Sequence, residues 1–254
     1  MTTTTADWTT APLVALDLEG SGAQDHDNEA ILEIAVVPLT AGQPDTTRAY
    51  CTLINPGRTI RRRPWISPGL TTAVLSTAPA PADVEPQLAA RLNEKIIVGH
   101  NVGVDWRLLH RRYPAITPAG LLDTLRLARH LKVGTKASLT ALTSQLQLTA
   151  GIECHAAGSQ PHRALWDTIA VALLLPVLVS AGWPDGANLA DLLAVAALDI
   201  DAAESAQNPA DAEQATLFPA PSGYSAPSAP NCWSPSSPPP PPPTPPTARK
   251  KPPG

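Results

Sequence analysis

Three cysteines, Cys51, Cys154 and Cys232, are all that the 254 residues contain. They are odd in number and widely spaced, which excludes a disulfide framework and a cysteine metal pair. A reducing, cytoplasmic setting is the expectation. Positive charge is also scarce: 18 lysines and arginines against 22 acids give a net charge of −4, so no global basic field advertises nucleic acid. Nor is there an apolar run of the roughly 20 residues that a bilayer span needs. The most hydrophobic stretch, 168–183, contains Pro176 and starts beside Asp167, and reads as a buried helix of a soluble protein rather than a membrane contact. Residues 1–12 carry threonines and an acid where a secretory signal would be apolar.

Proline is the residue in excess, and it is unevenly placed. Of the 30 prolines, 15 fall in 219–254, including an unbroken run over 238–243. Such a segment lacks backbone donors and apolar surface, and is expected to be a disordered, locally polyproline-II tail. Residues 1–10 read as a flexible leader, 11–182 as one compact domain, and 183–218 as a linker with room for a helix. The basic residues that exist are gathered in two groups, Arg58, Arg61, Arg62 and Arg63, then Arg107, His110, Arg111 and Arg112.

Within the compact part, apolar runs bounded by proline and glycine predict strands over 12–20, 30–39 and 47–57. Their short connections favour an antiparallel meander. Helical spacing follows over 82–94, with Val84, Leu88 and Leu92 on one face, then a short buried strand over 95–101 and a helix over 104–113. A strand running into a helix over 120–131, a helix over 137–148 and a long helix after His162 complete the series. Strands first, then alternating helices and strands, describe an α/β domain with a mixed sheet covered by helices.

Four acids stand out against this background. Asp17 and Glu19 in "ALDLEG" are two apart on a strand, so they share a face. Two neighbouring carboxylates in an apolar setting are unfavourable unless a cation neutralises them, and hard divalent ions seek such oxygen-only sites. The alternative leaves Asp17 at a strand end and Glu19 in solvent. Asp105 in "GHNVGVDWRLL" opens a helix, either as a capping acid or as a third ligand. Asp167 lies on an apolar helix, where a free carboxylate is costly. His162 precedes it by five residues, about 140° of helical rotation, so the two cannot share a helical face and the histidine belongs to the preceding loop "HAAGSQP".

The stretches "LDLEG", "GHNVGVDWRLL" and "HRALWD", in that order, resemble the three motifs of the DEDDh family of 3′–5′ exonucleases. "PGLT" and "LLDTLRLAR" fall between them at the family's places, and the likeness spans about residues 12–180. The resemblance implies a ribonuclease H-like fold with a mixed five-stranded sheet flanked by helices. It implies that Asp17, Glu19, Asp105 and Asp167 surround two Mg²⁺ or Mn²⁺ ions. His162 would act as general base on the attacking water, with His155 a more distant rival. Gly20, Leu70 and Asn101 become candidate substrate contacts. The chain departs from the family at Gly20 and Ser21, where threonines are common, and at Pro68, where a histidine is common.

The implied activity is metal-dependent removal of nucleotides from the 3′ ends of single-stranded DNA in replication, proofreading or repair. The alternatives are exoribonuclease trimming of RNA 3′ ends, and a catalytically silent nucleic-acid-binding module. In the first basic loop, Arg61 and Arg62 suit phosphate contacts and Trp65 suits base stacking, against the plainer reading of a solvated basic turn. The only phenylalanine, Phe218, sits in "QATLF". That pentapeptide resembles the Gln-x-x-Leu-Phe motif by which bacterial replication and repair proteins bind the sliding clamp, with Gln214, Leu217 and Phe218 as the contacts.

Overall fold

The run Leu13-Val14-Ala15-Leu16 sets the centre of the molecule, each of its residues no more than 3% exposed. The computed structural model describes residues 6–201 other than Thr135. Its strands, in chain order, are β1 (Leu13–Gly20), β2 (Ile31–Thr40), β3 (Gln43–Pro44), β4 (Tyr50–Leu53), β5 (Ile96–Gly99), β6 (Gly120–Asp123) and β7 (Ala197–Leu198). The order across the sheet is β3-β2-β1-β5-β6-β7, with β4 also paired to β2. β1 runs antiparallel to β2 and parallel to β5, and β5 runs parallel to β6. The expected mixed five-stranded sheet is β4-β2-β1-β5-β6. The two-residue strands β3 and β7 extend it and carried no sequence signal.

The helices are α1 (Thr72–Leu75), α2 (Pro81–Leu92), α3 (Val102–Arg112), α4 (Thr124–Leu131), α5 (Leu139–Gln145), α6 (Thr149–His155), α7 (Ala164–Gly182) and α8 (Leu189–Ala196). Alternation along β1 divides the core. Leu13 and Ala15 pack with Val171, Leu174, Leu175 and Leu178 of α7. Val14 and Leu16 face Val84, Leu88 and Leu92 of α2 and Val102, Trp106 and Leu109 of α3. Burial on both faces explains why β1 reads as a continuous apolar run rather than an alternating one. α7 is long and apolar enough to cross a membrane by composition, but 67% of its apolar window is buried inside the domain. Thr168 on this helix donates its hydroxyl to the Ala35 carbonyl of β2 at 3.3 Å, fastening helix to sheet.

Several boundaries differ from the sequence reading. The leader is packed from Ala6 onward: Trp8 is 7% exposed, and the Leu189 N–H donates to the Ala6 carbonyl. The domain does not stop at residue 182, because α8 sets Leu192 and Ala196 in the same core cluster as Trp8 and β7 pairs with β6. The third strand shortens to Tyr50–Leu53, because a 3₁₀ turn occupies Thr46–Arg48. The helix expected over 137–148 ends at Gln145, and α6 then takes in His155, which was expected in a loop. The proline-rich tail and the 214–218 pentapeptide lie outside the described residues.

Candidate active site

Asp17 and Glu19 leave β1 on the face that α7 covers, and Asp167 stands on the first turn of α7. One oxygen from each of the three lies within 4.8 Å of the others. Burial drives Asp17 and Glu19 well above the usual carboxylate range; Asp167, Asp105 and Glu33 push both the same way. Asp167 is pushed up to about 7, again by burial first. Asp105 arrives from the opposite face, since α3 packs with Val14 and Leu16. It meets the group at the far end of β1, where the Leu18 backbone donates a hydrogen bond to it. Burial raises Asp105 to about 8, against the pull of that bond. Mutually repelling, desolvated oxygens on converging elements are the donor set that a hard divalent cation fits; three of the sequence-predicted acids come within 4.8 Å, with Asp105 an electrostatic neighbour.

The surroundings fix these carboxylates. Ser67, 5% exposed, donates its hydroxyl to Glu19 Oε2 at 2.5 Å. The β1–β2 register shifts between Glu19 and Gly20, and such irregularities re-aim side chains beside sites. Gly20 is shaped for packing: a Cβ there would come 3.1 Å from Leu108 Cδ2. Asn101, expected as a substrate contact, caps α3 in a left-handed conformation (φ 65), with its N–H donated to Asp123 Oδ1 at 2.8 Å. Leu70 is 5% exposed in a small cluster with Leu32, Ile60 and Leu75, so its side chain packs in the core.

His162 precedes α7, as its spacing from Asp167 required. The residue as a whole is exposed and its backbone left-handed at φ 63, while its N–H donates to Asp167 Oδ2 at 3.0 Å. Partial burial of the imidazole lowers it below its ordinary value, which favours the neutral, proton-accepting form. His155 is exposed at the end of α6.

The first arginine group divides in two. Arg58 donates to Asp25 Oδ2 at 2.6 Å and to the Asn28 carbonyl at 2.8 Å, and Arg63 pairs with Asp25 Oδ1 at 2.9 Å. These two hold the loop against 21–28, and Arg61 and Arg62 are exposed. Trp65 donates to the Ser21 carbonyl at 3.4 Å and lies over Gly22, where a Cβ would come 2.3 Å from its indole nitrogen. The second group works within the fold: Arg111 and Arg112 donate to the carbonyls of His26 and Asp27.

Sequence reasoning missed Ser67, Asp25 and above all Glu33, which is 1% exposed and bound by Arg163. An acid inside the apolar run "ILEIAVV" was the available signal.

Comparison with known proteins agrees with this geometry. The exonuclease family model, RNase T, matches residues 14–175. A DNA polymerase III subunit epsilon-like protein of Rhodobacter capsulatus is 32% identical over 177 residues, covering 66% of this chain and 24% of its own. The DNA polymerase III subunit epsilon of Aquifex aeolicus is 28% identical over 181 residues, covering 67% of this chain and 81% of its own. The chain therefore spans about a quarter of the Rhodobacter protein and most of the Aquifex one. Among solved structures, exonuclease X in complex with 5′ overhanging duplex DNA superposes with a TM-score of 0.53 at 28% identity, covering 71% of this chain and 98% of that one. With its three acidic motifs and the histidine five residues before Asp167, the chain belongs to the exonuclease family, in its DEDDh branch.

Proposed function

We propose that this protein removes nucleotides one at a time from the 3′ ends of single-stranded DNA, in replication-linked proofreading or repair, and that it requires divalent cations. The observation that carries the reading is the convergence of Asp17, Glu19 and Asp167 within 4.8 Å, with His162 tied to Asp167. Asp17, Glu19, Asp105 and Asp167 would hold the two Mg²⁺ or Mn²⁺ ions, which when bound supply positive charge to the scissile phosphate and its leaving oxygen. His162, neutral and open to solvent, takes the proton of the attacking water at its ring nitrogen. Arg61 and Arg62 approach backbone phosphates, and Trp65 offers a stacking plane. DNA is favoured over RNA because the relatives named above are a DNA polymerase III subunit epsilon, a protein named as like it, and a DNA-bound exonuclease. A silent binding module would have no physical reason to keep four crowded, mutually repelling acids, two of them buried and two half-buried. We also assign Gln214, Leu217 and Phe218 to sliding-clamp docking.

The test is digestion of 5′-labelled single-stranded DNA and RNA with Mg²⁺, with Mn²⁺ and with EDTA, with His162→Ala alongside. A ladder shortening from the 3′ end of DNA is expected, abolished by EDTA and slowed by about 10²–10⁴-fold in the variant. Intact strands in every lane, retained on a filter, would sink the enzyme reading.

A further inference from the structure

Glu33 is a buried acid that the cation cluster does not account for. It stands directly opposite Glu19 in the β1–β2 register, with a side chain 1% exposed. Both of its oxygens are taken by one arginine: Arg163 Nε donates to Oε2 at 2.7 Å and Nη2 donates to Oε1 at 2.8 Å. The Ala164 N–H adds a longer bond to Oε2 at 3.4 Å, at a helix start whose own N-cap side chain makes no capping bond. Arg163 is the residue between His162 and the first turn of α7. Residues 162–164 are therefore fastened at three successive positions, one to Asp167 and two to Glu33 on β2. His162 meanwhile holds a left-handed φ, which a residue other than glycine keeps only where its surroundings impose it.

We propose that the buried Arg163–Glu33 pair is a positioning latch that holds His162 over the acid cluster in the orientation proton abstraction needs. The inference rests on His162 being the general base, as proposed above. Arg163 and Glu33 touch no reacting atom; they act through the histidine. A buried ion pair recovers its desolvation cost poorly, and an apolar pair of similar volume often folds as well. What the bidentate fork adds is a fixed direction. That direction is imposed on the residue adjoining the base, across 130 positions of sequence.

The experiment uses the full chain and compares Glu33→Met/Arg163→Met, which leaves no orphaned charge, with His162→Ala and with the triple variant. The double variant should lower kcat by about 100-fold, the cost of a misplaced group, with KM little changed. It should cause no further loss in the His162→Ala background, and Mn²⁺ binding measured by electron paramagnetic resonance should stay within about twofold of the parent. Arg163→Lys keeps the charge without the fork and should show a smaller kcat loss that also vanishes when His162 is absent. Full kcat in the folded double variant beside a crippled His162→Ala would overturn the latch alone. So would losses that multiply in the triple variant, or a parallel fall in Mn²⁺ affinity. An unimpaired His162→Ala would overturn the general-base reading itself.

Discussion

Ser67 holds one oxygen of Glu19, and in doing so joins the arginine loop to the acids. A carboxylate fixed at one oxygen presents the other in a set direction, so the hydroxyl aims the Glu19 oxygen proposed to hold a cation. Ser67→Ala should weaken Mn²⁺ binding by about tenfold, while Ser67→Thr, which keeps the hydroxyl, should retain most of the affinity. Calorimetric titration of the folded proteins checks this, and equal affinity in all three would remove Ser67 from the site. Nothing in "RRRPWISPG" distinguishes Ser67 from any loop serine. Asp17 and Asp167, by contrast, were legible because each carries charge in an apolar setting, and Glu19 and Asp105 through the motifs that hold them. Glu33 carries that same mark, but its partner Arg163 is remote in sequence, and local pattern has no means of pairing them.

Among the elements, β5 and α4 are joined through His100. Its Nε2 lies 2.7 Å from the Ala137 carbonyl and its Nδ1 lies 3.0 Å from the Thr124 hydroxyl, tying both elements to the segment before α5. Burial lowers this imidazole from 6.5 to about 4. The unfolded chain then takes up a proton first as pH falls, so the contribution of neutral His100 is complete above 6.5 and is lost between 6.5 and 4. The melting temperature should therefore drop more steeply over that interval in the parent than in His100→Gln. Equal slopes would show that His100 is not held neutral. Helix α7 was legible because it is apolar all round, as a fully covered helix must be. The break between α5 and α6 was not, because Gln147 turns left-handed at φ 58 without the glycine or proline that usually announces such a turn.

At the scale of the whole molecule, the chain's two described ends close on each other. Trp8 packs against Gly42, where a Cβ would come 2.7 Å from its ring, and Asp7 bridges to Asn188. A tryptophan among threonines reads as a loose leader, yet Trp8 and the apolar side of α8, with Leu189, Leu192 and Leu193, complete one core cluster between them. Beyond this closure the sequence carries "QATLF". Leu217→Ala/Phe218→Ala should abolish co-elution with a bacterial sliding clamp and leave digestion of free strands unchanged; unaltered co-elution would remove clamp docking from the proposal. The order of the acids along the chain has a consequence for synthesis. Asp17 and Glu19 leave the ribosome first, Asp105 follows, and His162 and Asp167 come about 150 residues after the first pair. A nascent chain thus carries half of the acid cluster, and the activity proposed above becomes possible only when the last long helix docks.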